Sequence, residues 1–150
     1  ALMARLGLEV LCGGALGWER QARHKPAGLR THMMVARGSA GFVLATLGMI
    51  AGGGPEQIGS VTRTVQGVVQ GIGFLGAGSI IQARGKIQGI TSAAGIWVVA
   101  GIGVCCGAGL YGLAMLMTAF ALLILEVAWR FEEAHFSREE KEAGEEEQQD

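Results

Sequence analysis

The stretch TVQGVVQGIGFLGAGSIIQ, residues 64–82, contains no charged side chain. Neither does IQGITSAAGIWVVAGIGVCCGAGLYGLAMLMTAFALLIL, residues 87–125. A helix crosses the bilayer core with about 20 apolar residues. The first stretch is therefore one span, and the second is two short spans if residues 107–112 make the turn. Toward the N-terminus, residues 32–51 (HMMVARGSAGFVLATLGMIA) carry a single charge, Arg37, and residues 2–18 form a fifth, shorter apolar segment containing Arg5 and Glu9. This segment lacks the basic n-region and the following cleavage pattern of a signal peptide. Its shortness, and a first residue other than Met, point to sequence upstream of Ala1.

Composition agrees with the spans. Half the residues are hydrophobic and 17% are charged, against about 25% charged in soluble domains. The 26 glycines follow no collagen period and sit among Leu, Ile, Val and Ala, as in packed membrane helices. The expected fold is an all-α integral membrane protein, a five-helix transmembrane bundle over residues 1–129. Residues 130–150 follow as an acidic cytoplasmic tail, a solvated helix end that becomes disordered.

The connections read as loops: residues 19–30, with Pro26 and Gly28; residues 52–59 (GGGPEQIG), a turn-rich break; and residues 82–89, with Arg84 and Lys86. The net charge of −1 hides a split. Residues 1–129 hold nine Lys/Arg and four Asp/Glu, whereas residues 130–150 hold three and nine. Lys and Arg concentrate in the first loop (Arg20, Arg23, Lys25, Arg30), the third (Arg84, Lys86) and the C-terminal flank (Arg130, Arg138, Lys141). Positive loops stay in the cytoplasm, so the N-terminus is expected outside and the C-terminus inside. The basic residues thus describe topology. No aromatic-interleaved basic surface appears, so the expected surroundings are a lipid bilayer and no nucleic acid.

Cys12, Cys105 and Cys106 lie in apolar stretches without a CxxC, which argues against a disulfide framework. His24 and His32 have no ligand cluster around them, and no metal site or cofactor is expected. No Ser-His-Asp or Cys-His arrangement falls in the spans, so an enzyme is not expected.

GIGFLG, residues 71–76, matches the dinucleotide pattern G-x-G-x-x-G. It lies inside an apolar span, with no acidic residue near Ile96 where the fingerprint requires one. Close helix packing is the better reading. Gly67 and Gly71 form GxxxG, Gly73 and Ala77 extend the small-residue spacing, and Phe74, Gly76 and Gly78 complete the segment. A locally unwound helix lining a cavity is the other possibility. Gly13/Gly17, Gly48/Gly52 and Gly103/Gly107 are further pairs, each weak alone among so many glycines.

Charges inside spans are the usual functional pointers. Arg37 and Glu126 lie near the expected cytoplasmic ends of their spans and can snorkel or pair. Arg5 and Glu9 are one turn apart and can pair with each other. Glu9 is the one plausible deep carboxylate, which is thin support for a dedicated Mg²⁺ route. The densest candidate is WERQARHKPAGLRTH, residues 18–32. Glu19, Arg20 and Arg30 can form ion pairs at a membrane surface, Pro26 and Gly28 turn the loop, and Thr31 can cap the next helix. It is either a positive-inside anchor or a cytoplasmic contact site. GITSAAGIW, residues 89–97, opens the fourth span. Thr91 and Ser92 can cap it or bond across helices, and Trp97 is expected to pack within it.

ERQARHKPAGLRTHMMVARGSAGF, GIGFLGAGSI and GITSAAGIWVVAGIG occur in this order, and together they resemble the membrane domain of the MgtC/SapB family, from about Leu6 to Trp129. The resemblance implies five spans and a multi-pass protein of the bacterial inner membrane. It also implies a link to low-Mg²⁺ adaptation and magnesium homeostasis, in a virulence-associated family. Similar proteins act as regulators of other membrane machines, ATP synthase among them, so a membrane-protein partner is implied and a homo-oligomer is possible. The resemblance carries over Glu19, Arg20, Pro26, Gly28, Leu29, Arg30, Thr31 and His32 of the first loop. It also carries over Gly71, Gly73, Phe74, Gly76 and Gly78 of the third span, and Thr91, Ala93, Ala94 and Trp97 of the fourth. Arg37 departs from it, standing where a small or apolar residue is expected. The acidic tail departs too, since some relatives carry a folded cytoplasmic domain there. Two functions stay open: a non-enzymatic regulator acting by helix contact, and a small transporter or channel for Mg²⁺ or another cation.

Overall fold

A computed structural model describes residues 2–50, 56–83 and 86–146. Five helices account for nearly all of it: α1 (Leu2–Ala22), α2 (Leu29–Met49), α3 (Glu56–Ser79), α4 (Ile90–Ala108) and α5 (Tyr111–Glu146). No helix contains a proline, which would cost a backbone hydrogen bond. Two of the helices are long and apolar enough to cross a membrane, Ile90–Ala108 and Tyr111–Glu133. Each expected span corresponds to one helix, but the boundaries shift. The polar ends of α1 and α2 shorten the first loop to six residues, 23–28. Helix α3 begins at Glu56, inside the stretch read as a turn-rich break, while residues 51–55 lie outside the described residues. Helix α5 runs on through the acidic tail to Glu146, and residues 147–150 lie outside the description.

The third loop contains an unexpected antiparallel hairpin, β1 (Ile81–Ala83) against β2 (Lys86–Gln88), with Ile81 opposite Gln88. Gly89 ends it at φ +92°, in the left-handed region that side chains disfavour. The turn between α4 and α5 is tighter than expected. Gly109, at φ +83°, ends α4, with its N–H bonded to Cys106 O at 3.1 Å and the Leu110 N–H bonded to Cys105 O at 2.8 Å. These bonds satisfy carbonyls at the end of α4. Arg5 Nη1 donates to Gly107 O at 3.0 Å in the same last turn, where the helix dipole favours a cation.

Helix α4 packs on all four other helices and most extensively on α2; α2 lies between α1 and α4, and α3 leans mainly on α4. Four glycines set these distances. A Cβ on Gly103 would lie 2.3 Å from Ala36 O, and one on Gly107 would lie 2.7 Å from Ala40 O. From the other side, a Cβ on Gly17 would lie 2.7 Å from Leu29 Cα, and one on Gly13 would lie 3.0 Å from His32 O. The GxxxG pairs of α1 and α4 therefore carry the backbone contacts. Around them Leu16, Val43, Ile96, Val99, Ile102 and Cys106 are fully buried. The three cysteines are free thiols in this core.

The packing expected of α3 is corrected. A Cβ at Gly67, Gly71, Gly73 or Gly78 would meet nothing within 4 Å, and Gly76 would make only ordinary contact with Ala93 Cβ at 3.7 Å. Phe74 is 82% exposed, and Ala77 is exposed as well. The reason is helical phase. Val68, Ile72 and Gly76, spaced by four, face the bundle, and the other glycines lie off that stripe. Gly67 and Gly71, with Gly38, instead line a lateral groove of about 670 Å³ between α2 and α3. A hydrogen bond between Thr46 Oγ1 and Thr64 Oγ1 at 2.7 Å joins those two helices.

Gly103→Ala is expected to lower stability by about 1–3 kcal/mol, as overpacking does. Gly73→Ala is expected to change it by less than about 0.5 kcal/mol. Thermal unfolding of the detergent-solubilised protein measures both, and equal losses would contradict the assignment of the packing glycines.

Candidate functional site

Three of the motif stretches singled out in the sequence converge at one end of the bundle. Pro26 and Ala27 from the α1–α2 connection, Thr31 from the first turn of α2, Phe74, Leu75, Gly78 and Ser79 from the end of α3, and Ile96 of α4 line one depression of about 340 Å³. Gly89 lies against the end of α3. Its absent Cβ would sit 2.1 Å from Ser79 O, so the hairpin can fold back on α3 only with glycine there. Ser79 Oγ donates to Gly76 O at 2.8 Å, which ties down the last turn of α3.

The loop is organised by His24 and Gly28. His24, at φ +53°, is the left-handed residue that ends α1; Gly28, at φ −111°, is not. The Lys25 N–H bonds to Arg20 O and the His24 N–H to Gln21 O, both at 3.0 Å, a pattern that satisfies the end of a helix. The α2 N-cap is Gly28, with no side-chain cap of its own. Thr31 therefore lies inside the first turn and does not cap. Gln21 Oε1 instead accepts the Leu29 N–H at 3.2 Å. Helix α4 likewise starts on Gly89 without a side-chain cap; Thr91 is exposed and Ser92 is buried.

His32 is fully buried. Its Nδ1 lies 3.0 Å from Gly28 O. A carbonyl can only accept, so Nδ1 carries the proton and Nε2 presents a lone pair. Nε2 has no hydrogen-bond partner and lies 3.2 Å from the Cβ position of Gly95. A side chain on residue 95 would therefore press on the imidazole.

Charge gathers at the end of α1 and on α5. Arg20, 3% exposed, pairs with Glu19 through Nε–Oε2 at 2.5 Å and Nη2–Oε1 at 2.8 Å. Glu19 also pairs with Arg23. Arg23 reaches across to Glu126 on α5 at 2.5 Å and lies 4.4 Å from the centroid of the Trp129 ring, with Lys25 Nζ at 5.2 Å from the same ring. Glu126 bonds Arg130 at 2.8 Å as well. Of the expected trio, Glu19 and Arg20 pair and Arg30 does not join them. Arg30 is exposed, with no ion pair among the described residues. Sequence reading missed Arg23, Gln21 and Trp129 as organisers. The charged and aromatic residues at the start of the tail were the available signal.

Other expectations change. Trp97 is 56% exposed and lines a small gap of about 80 Å³ against α3. Ala93 faces Gly76, whereas Ala94 is exposed. Arg5 does not pair with Glu9. Arg37 Nη1 takes Glu9 Oε1 at 2.9 Å, because α2 brings Arg37 to α1 while the end of α4 takes Arg5. Among the described residues no three His, Cys, Asp or Glu side chains converge as metal ligands. What the segment offers is an apolar hollow, an exposed Arg30 and an ordered chain of ion pairs from Arg20 through Glu19, Arg23 and Glu126 to Arg130, an arrangement suited to binding a surface.

The profile of the MgtC family matches residues 6–134. The chain is 40% identical over 132 residues to Protein SrpB of Synechococcus elongatus, covering 83% of this chain and 72% of that protein. It is 42% identical over 125 residues to "Putative magnesium transporter YhiD" of Escherichia coli K12, covering 82% of this chain and 58% of that protein. To Protein MgtC of Salmonella typhimurium it is 39% identical over 134 residues, covering 87% and 55%. The chain thus spans little more than half the length of the last two. No solved structure matches it.

Gly89→Ala is expected to destabilise by more than about 2 kcal/mol, since it combines left-handed strain with a steric clash. Gly78→Ala, in open space on the depression, is expected to fall within about 0.5 kcal/mol of the native protein. Unfolding midpoints in one detergent measure the contrast.

Proposed function

The chain belongs to the MgtC family, and on that premise we propose that it is a multi-pass protein of the bacterial inner membrane that acts in low-Mg²⁺ adaptation by contact with membrane-protein partners, without catalysing a reaction. In this reading all five helices span the bilayer, with the N-terminus outside and the C-terminus in the cytoplasm. One end of the bundle carries Arg20, Arg23, Lys25, Arg30 and Arg130, which supports a cytoplasmic position for that end.

The observation that carries the proposal is the convergence of the motif stretches on one hollow, whose wall includes Pro26, Ala27 and Thr31 of the same segment that carries Glu19, Arg20 and Arg30. Apolar surface with charged neighbours gives a partner both affinity and orientation. The name of the Escherichia coli relative favours a second reading, transport of Mg²⁺ or another cation. The electrostatics favour contact. Glu9, a fully buried carboxylate, is already paired with the Arg37 guanidinium, which neutralises it toward an arriving cation. A divalent ion is held by several oxygens.

Arg30→Ala is expected to abolish support of growth in low Mg²⁺ while leaving membrane insertion intact. Full rescue by Arg30→Lys would reduce the residue to a positive-inside anchor, since that rule counts charge and not guanidinium geometry. In the topology proposed, a cysteine at Gln21 is blocked from external labelling and one at Leu110 is labelled. External labelling of the Gln21 position overturns the orientation.

A further inference from the structure

An apolar groove of about 670 Å³ runs between α2 and α3. Met34, Gly38 and Phe42 form one wall, and Gly67, Gly71 and Leu75 form the other. It is open because glycines stand where side chains would fill it: a Cβ at Gly38, Gly67 or Gly71 would meet nothing within 4 Å. From Met34 to Met49 the groove follows α2 for about 22 Å. One leaflet of hydrocarbon is about 15 Å deep, so a lipid chain fits along it. The threonine hydroxyls on its walls make no demand on an occupant, since Thr46 Oγ1 and Thr64 Oγ1 bond each other at 2.7 Å.

The end of the groove toward the start of α2 is different. Leu75 lines both the groove and the hollow that contains Pro26, Thr31 and Ser79, so the two spaces meet there. Arg30 precedes Met34 by four residues, which puts it one turn beyond the groove on the same side of α2. It is exposed, with no ion pair among the described residues. Thr31, also exposed, adds a hydroxyl donor. Gly28 supplies no side-chain cap to this end of α2, so the positive end of the helix dipole adds to the attraction for an anion. The 21 residues of α2 extend about 32 Å, close to the hydrocarbon thickness of about 30 Å. If α2 crosses the bilayer, its first turn lies at the level of the lipid phosphates.

Hydrocarbon surface along the groove and an unbalanced cation at headgroup level select the same ligand. We propose that the groove between α2 and α3 holds an acyl chain of an anionic phospholipid whose phosphate is bound by Arg30 and Thr31. A zwitterionic headgroup brings its own cation to the phosphate and gains less from Arg30. A second copy meeting this face by a two-fold axis along the membrane normal would set Arg30 near Arg30, two unpaired cations together. The proposal rests on the five-span reading above and names a ligand which that reading does not supply.

The test titrates the purified full chain in detergent with phosphatidylglycerol and with phosphatidylcholine of the same chains, and native mass spectrometry counts the lipid bound. One phosphatidylglycerol per chain is expected to bind about fivefold more tightly than phosphatidylcholine, the order expected of one arginine beside an anionic headgroup. Arg30→Gln is expected to bind the two lipids alike, and Arg30→Lys to keep the preference. Gly67→Leu/Gly71→Leu, which fills the groove, is expected to lose binding of both lipids while its thermal unfolding stays cooperative. If that variant does not fold, the comparison at Arg30 decides alone. Equal binding of the two lipids by the native chain overturns the proposal, as does a preference that survives Arg30→Gln. Native lipid binding by the folded groove-filled variant overturns it as well. Competition by glycerol 1-phosphate as strong as that of the whole lipid overturns it in favour of a free-anion site. Lipid-free dimers that dissociate when the groove is filled overturn it in favour of a second copy. Cysteine labelling at Gln21 and Leu110 in vesicles separates the two levels. Opposite sides with no lipid preference sinks the lipid site alone, and one shared side sinks the five-span reading beneath it.

Discussion

The rest of the bundle depends on the direct backbone contact of α2 with its two neighbours. Gly103 and Gly107 of α4 sit against the carbonyls of Ala36 and Ala40, and Gly13 and Gly17 of α1 sit against His32 and Leu29. In lipid, tails are as apolar as side chains, so helices associate through close packing and polar contacts. Removing four Cβ atoms brings three helices within van der Waals reach of one another's backbones. Three polar side chains are positioned from that trio. His32 is pinned between α2 and Gly95 of α4, Glu9 meets Arg37 across the α1–α2 seam, and Arg5 reaches the last turn of α4.

The polar groups divide by depth. At the basic end, Glu19, Arg20, Arg23 and Glu126 link α1 to α5 in a shared network, with Trp129 under two cations. The pair of Glu126 with Arg130 is exposed and contributes little, whereas Glu19, Arg20 and Arg23 are largely shielded and orient the end of α1. Inside, a single ion pair carries a much higher penalty if broken, since the carboxylate would be left buried and alone. The interior pair is therefore a fixed feature of the α1–α2 seam, and it removes the charge that a cation pathway would use.

Much of this was legible in the residues. Charge-free runs and alternating basic loops placed all five helices. The spacing of Gly13/Gly17 and Gly103/Gly107 marked the packing glycines, but spacing cannot rank them above Gly67/Gly71. The rank depends on which helical face meets a neighbour, and that is a property of the assembled bundle. The pairing of Arg5 with Glu9 failed for a similar reason. A partner one turn away competed with Arg37, 28 residues distant in sequence, and tertiary proximity won. Trp97 was placed inside because it lies mid-span, yet mid-span says nothing of inside or outside when the solvent is lipid. The left-handed turn fell on His24 and not on Gly28, which no composition rule would select. The convergence of the PAGLRTH loop with the end of α3 could be suspected only from their being distinctive, and required the fold to be seen.

A protein that works by contact needs ordered surfaces and no route through itself, whereas a transporter needs the route. The purified native chain, reconstituted in vesicles loaded with a Mg²⁺-sensitive dye, separates these directly. Action by contact predicts Mg²⁺ entry no faster than in protein-free vesicles under an imposed gradient and potential. Saturable, protein-dependent Mg²⁺ entry would contradict it.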